Sequence, residues 1–261
     1  MNISQTLYEF QRSDGLTIRG KIYARAGETR QPLVIFGHAF GGSYKDIEWH
    51  GEAIAREGIA CLLIDYCGGG RETTSDGAWE DMTPMTVCED METVVSQIAR
   101  VPEADPNRVF LMGASLGGLA SALVAARCGR KIRGIILWYP ALSFPDKVRR
   151  TFPDGNVQDT EFLGCIVTKN YYASVLNLDA YAEAERYTGP VLIIQGDKDD
   201  IVPPESSERV AARYQNAQLV MIPGAGHGFD ERDAVTVREA AITFIKEQLS
   251  DHSPVTPQFR S

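Results

Sequence analysis

The stretch Val109-Phe110-Leu111-Met112-Gly113-Ala114-Ser115-Leu116-Gly117-Gly118-Leu119 decides the fold. Four apolar residues in a row read as a strand buried on both faces, and residues 116–126 carry helical spacing, so the serine stands at a strand-to-helix turn. As a bare string G-x-S-x-G is a weak signal in a chain of 261 residues. Its position gives it weight. Glycines two before and two after the serine permit a tight, strained elbow that lifts the hydroxyl into the open at the carboxyl edge of a sheet. The bland alternative is a glycine-rich helix start with serine as its cap.

Similar apolar runs lie on both sides, at residues 33–36, 59–64, 135–138 and 191–194, separated by segments of helix length. Residues 47–56 and 85–98 carry helical spacing like that of 116–126. Such alternation predicts an α/β protein with a mostly parallel sheet. Residues 5–24 read as an edge hairpin around the turn Ser13-Asp14-Gly15. Near the end, 206–214 reads as a helix, 219–222 as a last strand and 234–249 as a closing helix with an apolar stripe, and the last dozen residues are expected to fray. Residues 139–188 break the rhythm: they hold Phe144, Phe152, Phe162, Tyr171, Tyr172, Tyr181 and Tyr187 without a clear sheet strand, and are expected to form an inserted cap. The whole is expected to be one domain.

Hydrophobic residues make up 44 % and charged residues 23 % of the chain, an ordinary globular mix. The net charge of −9 repels phosphate backbones and anionic lipid, so neither nucleic acid nor membrane is an expected partner. Five cysteines without C-x-x-C suggest neither a disulfide framework nor a zinc knuckle, and no metal-ligand spacing such as H-E-x-x-H occurs. The opening lacks the pattern of a signal peptide, so a cytoplasmic location is expected. A homodimer is compatible with all of this.

A serine hydroxyl needs an imidazole to take its proton and a carboxylate to orient that imidazole. Of the four histidines, His50 falls in a predicted surface helix, His252 in the tail and His38 directly after a strand. His227 remains, in the loop Pro223-Gly224-Ala225-Gly226-His227-Gly228-Phe229 after the last predicted strand. Val191-Leu192-Ile193-Ile194-Gln195-Gly196-Asp197-Lys198-Asp199-Asp200 offers three carboxylates at a strand end. Asp199, 28 residues before His227, is preferred, with Asp197 and Asp200 left to turn-capping or solvent. The chain order is then serine, aspartate, histidine.

Taken with His38-Ala39-Phe40-Gly41-Gly42, Asp105-Pro106-Asn107-Arg108-Val109, Gly196-x-x-Asp199-x-x-Val202-Pro203 and Gly226-His227-Gly228, these motifs resemble the α/β-hydrolases, from about residue 5 to 249. Within that superfamily the chain most resembles the bacterial cinnamoyl and feruloyl esterases. The resemblance implies an eight-stranded, mostly parallel sheet with a small cap and an oxyanion hole made by the backbone N–H groups of Phe40 and Leu116. It also implies a cap tyrosine and an acidic residue that hold a substrate phenol, for which Tyr172 and Asp146 are the nearest candidates.

Two departures stand out. Ala39 occupies a position that is usually glycine, and Asp65-Tyr66-Cys67-Gly68-Gly69-Gly70-Arg71 replaces Asp-x-x-Gly-x-Gly-x-Ser, its triple glycine reading as a tight turn near the site rim. Tyr171 and Tyr172 could also sandwich a planar acyl group, or simply pack in the core. The expected activity is ester hydrolysis through an acyl-enzyme, without a cofactor, on a small-molecule ester of the hydroxycinnamate type. The alternatives are a general short-chain carboxylesterase or acylglycerol lipase, a serine peptidase of the prolyl oligopeptidase type, whose usual propeller domain 261 residues do not accommodate, and a non-catalytic ligand receptor.

Overall fold

In the computed structural model, which describes residues 2–250, the apolar runs pair into one eight-stranded sheet. β1 (Ile3–Gln11) and β2 (Thr17–Arg25) form the antiparallel hairpin at one edge, and β2 also pairs antiparallel with β4 (Ala60–Ile64). β3 (Gln31–Gly37), β5 (Ala104–Ala114), β6 (Ile132–Trp138), β9 (Val191–Gly196) and β10 (Ala217–Ile222) complete the order β1-β2-β4-β3-β5-β6-β9-β10, parallel from β4 onward. Because side chains alternate across a strand, Leu33 and Ile35 of β3 pack on one face while Val34 and Phe36 pack on the other.

The helices cover both faces, which is why the inner strands can be apolar throughout. α2 (Pro84–Gln97) and α3 (Leu116–Cys128) lie on the first face, and α1 (Glu48–Arg56) and α8 (Glu231–Ser250) on the second. α7 (Pro204–Ala211) joins β9 to β10. The segment between β6 and β9 adds no strand to the main sheet. It holds α4 (Phe144–Thr151), a two-stranded hairpin of β7 (Thr160–Phe162) and β8 (Cys165–Val167), α5 (Lys169–Ala173) and α6 (Ala180–Ala184). This is the expected cap, with a hairpin too short for alternation to announce it. The fraying expected of the last dozen residues concerns positions almost wholly outside those described. Among the described residues no helix is long and apolar enough to cross a membrane.

One expectation needs correction. His50 does lie on a helix, α1, but that position is not at the surface: the side chain is 3 % exposed, packed between Trp49, Phe36 and Trp138 with ring centroids 3.9, 5.9 and 5.0 Å away. Burial, helped by the charge of Arg238, pushes its pKa down to about 3. The sign follows directly. A base whose folded pKa is depressed contributes stability that is complete above its unfolded value of about 6.5 and lost as pH falls toward the folded value. Thermal unfolding of His50→Phe, which keeps a ring and removes the proton site, is therefore expected to lose less Tm than the wild type between neutral pH and about pH 4. Equal losses would show that His50 takes no part in acid unfolding.

Candidate active site

Parallel pairing brings the carboxyl ends of β3, β5, β9 and β10 to one edge of the sheet, so loops far apart in sequence meet there. The turn from β5 into α3 is the sharpest. Ser115 adopts φ 51° and ψ −109°, a left-handed conformation unusual for a residue with a side chain. Flanking bulk is excluded: a Cβ on Gly113 would come within 2.1 Å of the Gly117 carbonyl oxygen, and one on Gly117 within 2.4 Å of that of Gly37. The turn is tied down by Ser115 N–H donating to the Trp138 carbonyl at 2.9 Å and by Ala141 N–H donating to the Ser115 carbonyl at 3.0 Å.

His227 is carried by the loop between β10 and α8. Lys198 N–H donates to the Ala225 carbonyl at 2.9 Å, Gly224 N–H donates to Asp197 Oδ1 at 2.6 Å, and the Tyr139 ring lies edge-on to the imidazole at 4.7 Å. Its Nδ1 stands 2.9 Å from Asp199 Oδ2 and 3.1 Å from Oδ1, while Nε2 stands 3.2 Å from Ser115 Oγ. A carboxylate only accepts, so Nδ1 carries the proton and Nε2 is free to accept one. His252 lies outside the described residues.

Asp199 is buried beyond the end of β9 and accepts from the N–H groups of Ile201 at 3.0 Å and Val202 at 2.8 Å. Gln195 Nε2 donates a third bond at 3.0 Å. Burial pushes the carboxyl's pKa up, but the hydrogen bonds from His227, Val202 and Gln195 together with the His227 charge outweigh it and hold the group below the ordinary carboxylate value. Of its neighbours, Asp197 caps the histidine loop and Asp200 faces solvent.

Phe40 and Leu116 stand beside Ser115, on the loop after β3 and at the first turn of α3. Among the described residues, neither backbone N–H has a hydrogen-bond partner. The loop is braced from below. His38 is buried, hydrogen-bonded through Nδ1 to the Ala39 carbonyl at 2.8 Å and packed against the Tyr66 ring, tilted 50° to it at 4.4 Å, and burial lowers its pKa. Gly41 bridges to Gly70, where a Cβ would come within 2.1 Å of the Gly42 carbonyl oxygen. The triple glycine thus lets the β4 loop press against the loop of Ala39 and Phe40.

A cavity of about 210 Å³ opens at Ser115 under the cap. Phe40, Phe144, Phe152, Phe162, Tyr171 and Tyr172 supply its aromatic walls. Tyr172 reaches it, with its hydroxyl bonded to Thr160 Oγ1 at 2.5 Å. Asp146 does not line it. Its carboxylate pairs with Arg149 and, at 2.8 Å, with Arg209, because Phe144, Lys147, Val148 and Thr151 form the cavity stripe of α4 and position 146 falls off that stripe. Nor do Tyr171 and Tyr172 make a sandwich. Consecutive helical positions diverge by about 100°, and the two rings meet edge-on, 80° apart at 6.1 Å. The sequence reading missed the α4 stripe, although its 0, 3, 4, 7 spacing was there to see, and it missed Gln195.

Residues 45–252 match the family model described as the prolyl oligopeptidase family. The chain belongs to that family. The family takes its name from a peptidase, and membership does not by itself choose between an ester and an amide bond. Among solved structures, the chain resembles Est1E from Butyrivibrio proteoclasticus, determined with ferulic acid bound, at 27 % identity and a TM-score of 0.84 over 92 % of this chain and 99 % of that one. Among curated relatives, it is 23 % identical to the uncharacterized protein YfhR of Escherichia coli (strain K12) over 93 % of this chain and 81 % of that protein. It is also 32 % identical to the thiohydrolase aneE of Aspergillus aculeatus over 137 residues, 51 % of this chain and 41 % of that one. Within the prolyl oligopeptidase family, the architecture is that of an esterase-type α/β-hydrolase.

Proposed function

We propose that the chain is a serine carboxylic-ester hydrolase that works through an acyl-enzyme and acts on hydroxycinnamate esters of the feruloyl or cinnamoyl type. The observation that carries the reading is the hydrogen-bonded line Ser115 Oγ, His227 Nε2, His227 Nδ1, Asp199, opening into an aromatic cavity beside two free backbone N–H groups. Ser115 Oγ attacks the acyl carbon while His227 Nε2 takes its proton. The oxyanion accepts hydrogen bonds from Phe40 and Leu116 N–H, a stabilisation of about 3–4 kcal/mol per donor elsewhere. His227 then protonates the departing alkoxide, and water activated by the same imidazole releases the acid. Asp199 keeps the proton on Nδ1 and stabilises the imidazolium.

The aromatic walls support a flat acyl group, and the ferulic acid bound by Est1E supports its class. Burying such a ring is worth about 1.5–3 kcal/mol, so ferulate and cinnamate esters are expected to exceed the acetate of the same alcohol at least about tenfold in kcat/KM. A panel of hydroxycinnamate esters, short aliphatic esters and peptidyl p-nitroanilides measures this directly. Preference for acetate would favour a general short-chain esterase, and faster amide than ester cleavage would favour a peptidase.

A further inference from the structure

Asp199 Oδ1 accepts two backbone N–H groups, whereas Oδ2, the oxygen nearer His227 Nδ1, has among the described residues only one other donor, Gln195 Nε2 at 3.0 Å. Gln195 sits in β9 with no exposed surface, in a run whose other side chains are aliphatic. Its orientation is fixed by chemistry. The amide nitrogen faces acceptors only: the Asp199 carboxylate and the carbonyls of Gly196 at 3.2 Å and Val202 at 3.3 Å. The amide oxygen accepts from the hydroxyl of Ser207, on α7 and likewise without exposed surface, at 2.7 Å. A buried amide is costly unless its polar atoms are paired, and here both ends are, one of them on the carboxylate beside the histidine.

We infer that Gln195, set by Ser207, is a positioning residue for the proposed esterase reaction, holding the Asp199 carboxylate in its orientation toward His227 and limiting its basicity. The chain of hydrogen bonds runs from the Ser207 hydroxyl through the Gln195 amide to Asp199, on which His227 also donates, and from His227 to Ser115. It joins α7 to the reacting serine, while Gln195 and Ser207 themselves do not line the cavity. Without the amide, Oδ2 keeps His227 as its sole partner, its charge is less dispersed, and it stabilises the imidazolium more strongly. The base is then protonated over a wider pH range.

The inference rests on the proposed esterase reading, and the test separates the two. The pH dependence of kcat/KM is measured for wild type, Gln195→Leu and Gln195→Met on whichever ester the wild type turns over fastest, with Tm as the measure of folding. Gln195→Leu is expected to lower kcat/KM about 10- to 100-fold, mainly in kcat, and to move the acid limb of the profile to higher pH. Gln195→Met keeps the length and most of the volume and removes the donor, so it is expected to move the limb the same way. An acid limb unmoved in the folded variants would overturn the inference, and if Gln195→Leu does not fold, Gln195→Met alone decides. A wild type inert on every ester would overturn the esterase reading instead.

Discussion

Ser115→Ala is expected to lower turnover of a good ester by about four to six orders of magnitude while leaving Tm near that of the wild type. The variant removes the atom proposed to form the acyl bond, and among the described residues no other hydroxyl or thiol is hydrogen-bonded to His227. Ser115 Oγ bonds only to His227 among the described side chains, so its loss leaves no buried group newly stranded in the core. Residual rate over water is expected from the free N–H groups of Phe40 and Leu116. Steady-state kinetics and a melting curve on one preparation suffice. Turnover within about tenfold of wild type in a folded variant would remove Ser115 from the mechanism.

Gly117→Ala is expected to do the reverse, destroying the fold rather than the chemistry. The added Cβ would stand 2.4 Å from the Gly37 carbonyl oxygen and 2.7 Å from that of His38. Both obstacles are backbone, on β3 and the loop that follows it, and neither can rotate away as a side chain would. The cost falls among the largest single-substitution effects, about 4–5 kcal/mol or more, which for a domain of this size lowers Tm by about 10 °C or prevents soluble expression. Gly226→Ala is the control. Its nearest neighbour would be the Lys198 carbonyl at 3.9 Å, ordinary contact, although it adjoins His227. A wild-type melting temperature for Gly117→Ala would mean that the elbow is looser than this geometry.

Much of this was legible in the sequence because the decisive features are local. Four-residue apolar runs announce strands buried on both faces, and glycines around Ser115 announce a turn that no side chain could share. Asp199 and His227 were readable because each follows a strand, and parallel strands end at the same edge. What escaped depends on facing. Gln195 reads as an interruption in an apolar run until α7 and the Asp199 turn are folded onto it. His50 sits beside the half-exposed Trp49, and only the crossing of α1 with the sheet decides which of the two is buried. Asp146 and the Tyr171–Tyr172 pair failed for one reason: neighbours on a helix point in different directions, so nearness in sequence does not put two side chains on one wall.

The measurement that bears most directly on the chemistry is mass spectrometry of the intact protein after exposure to a fluorophosphonate, followed by peptide mapping. One adduct per chain on Ser115, abolished in Ser115→Ala and strongly slowed in His227→Ala, is the expected result. No adduct, or one that maps to another side chain, would contradict the assignment of Ser115 as a nucleophile activated by His227 and Asp199.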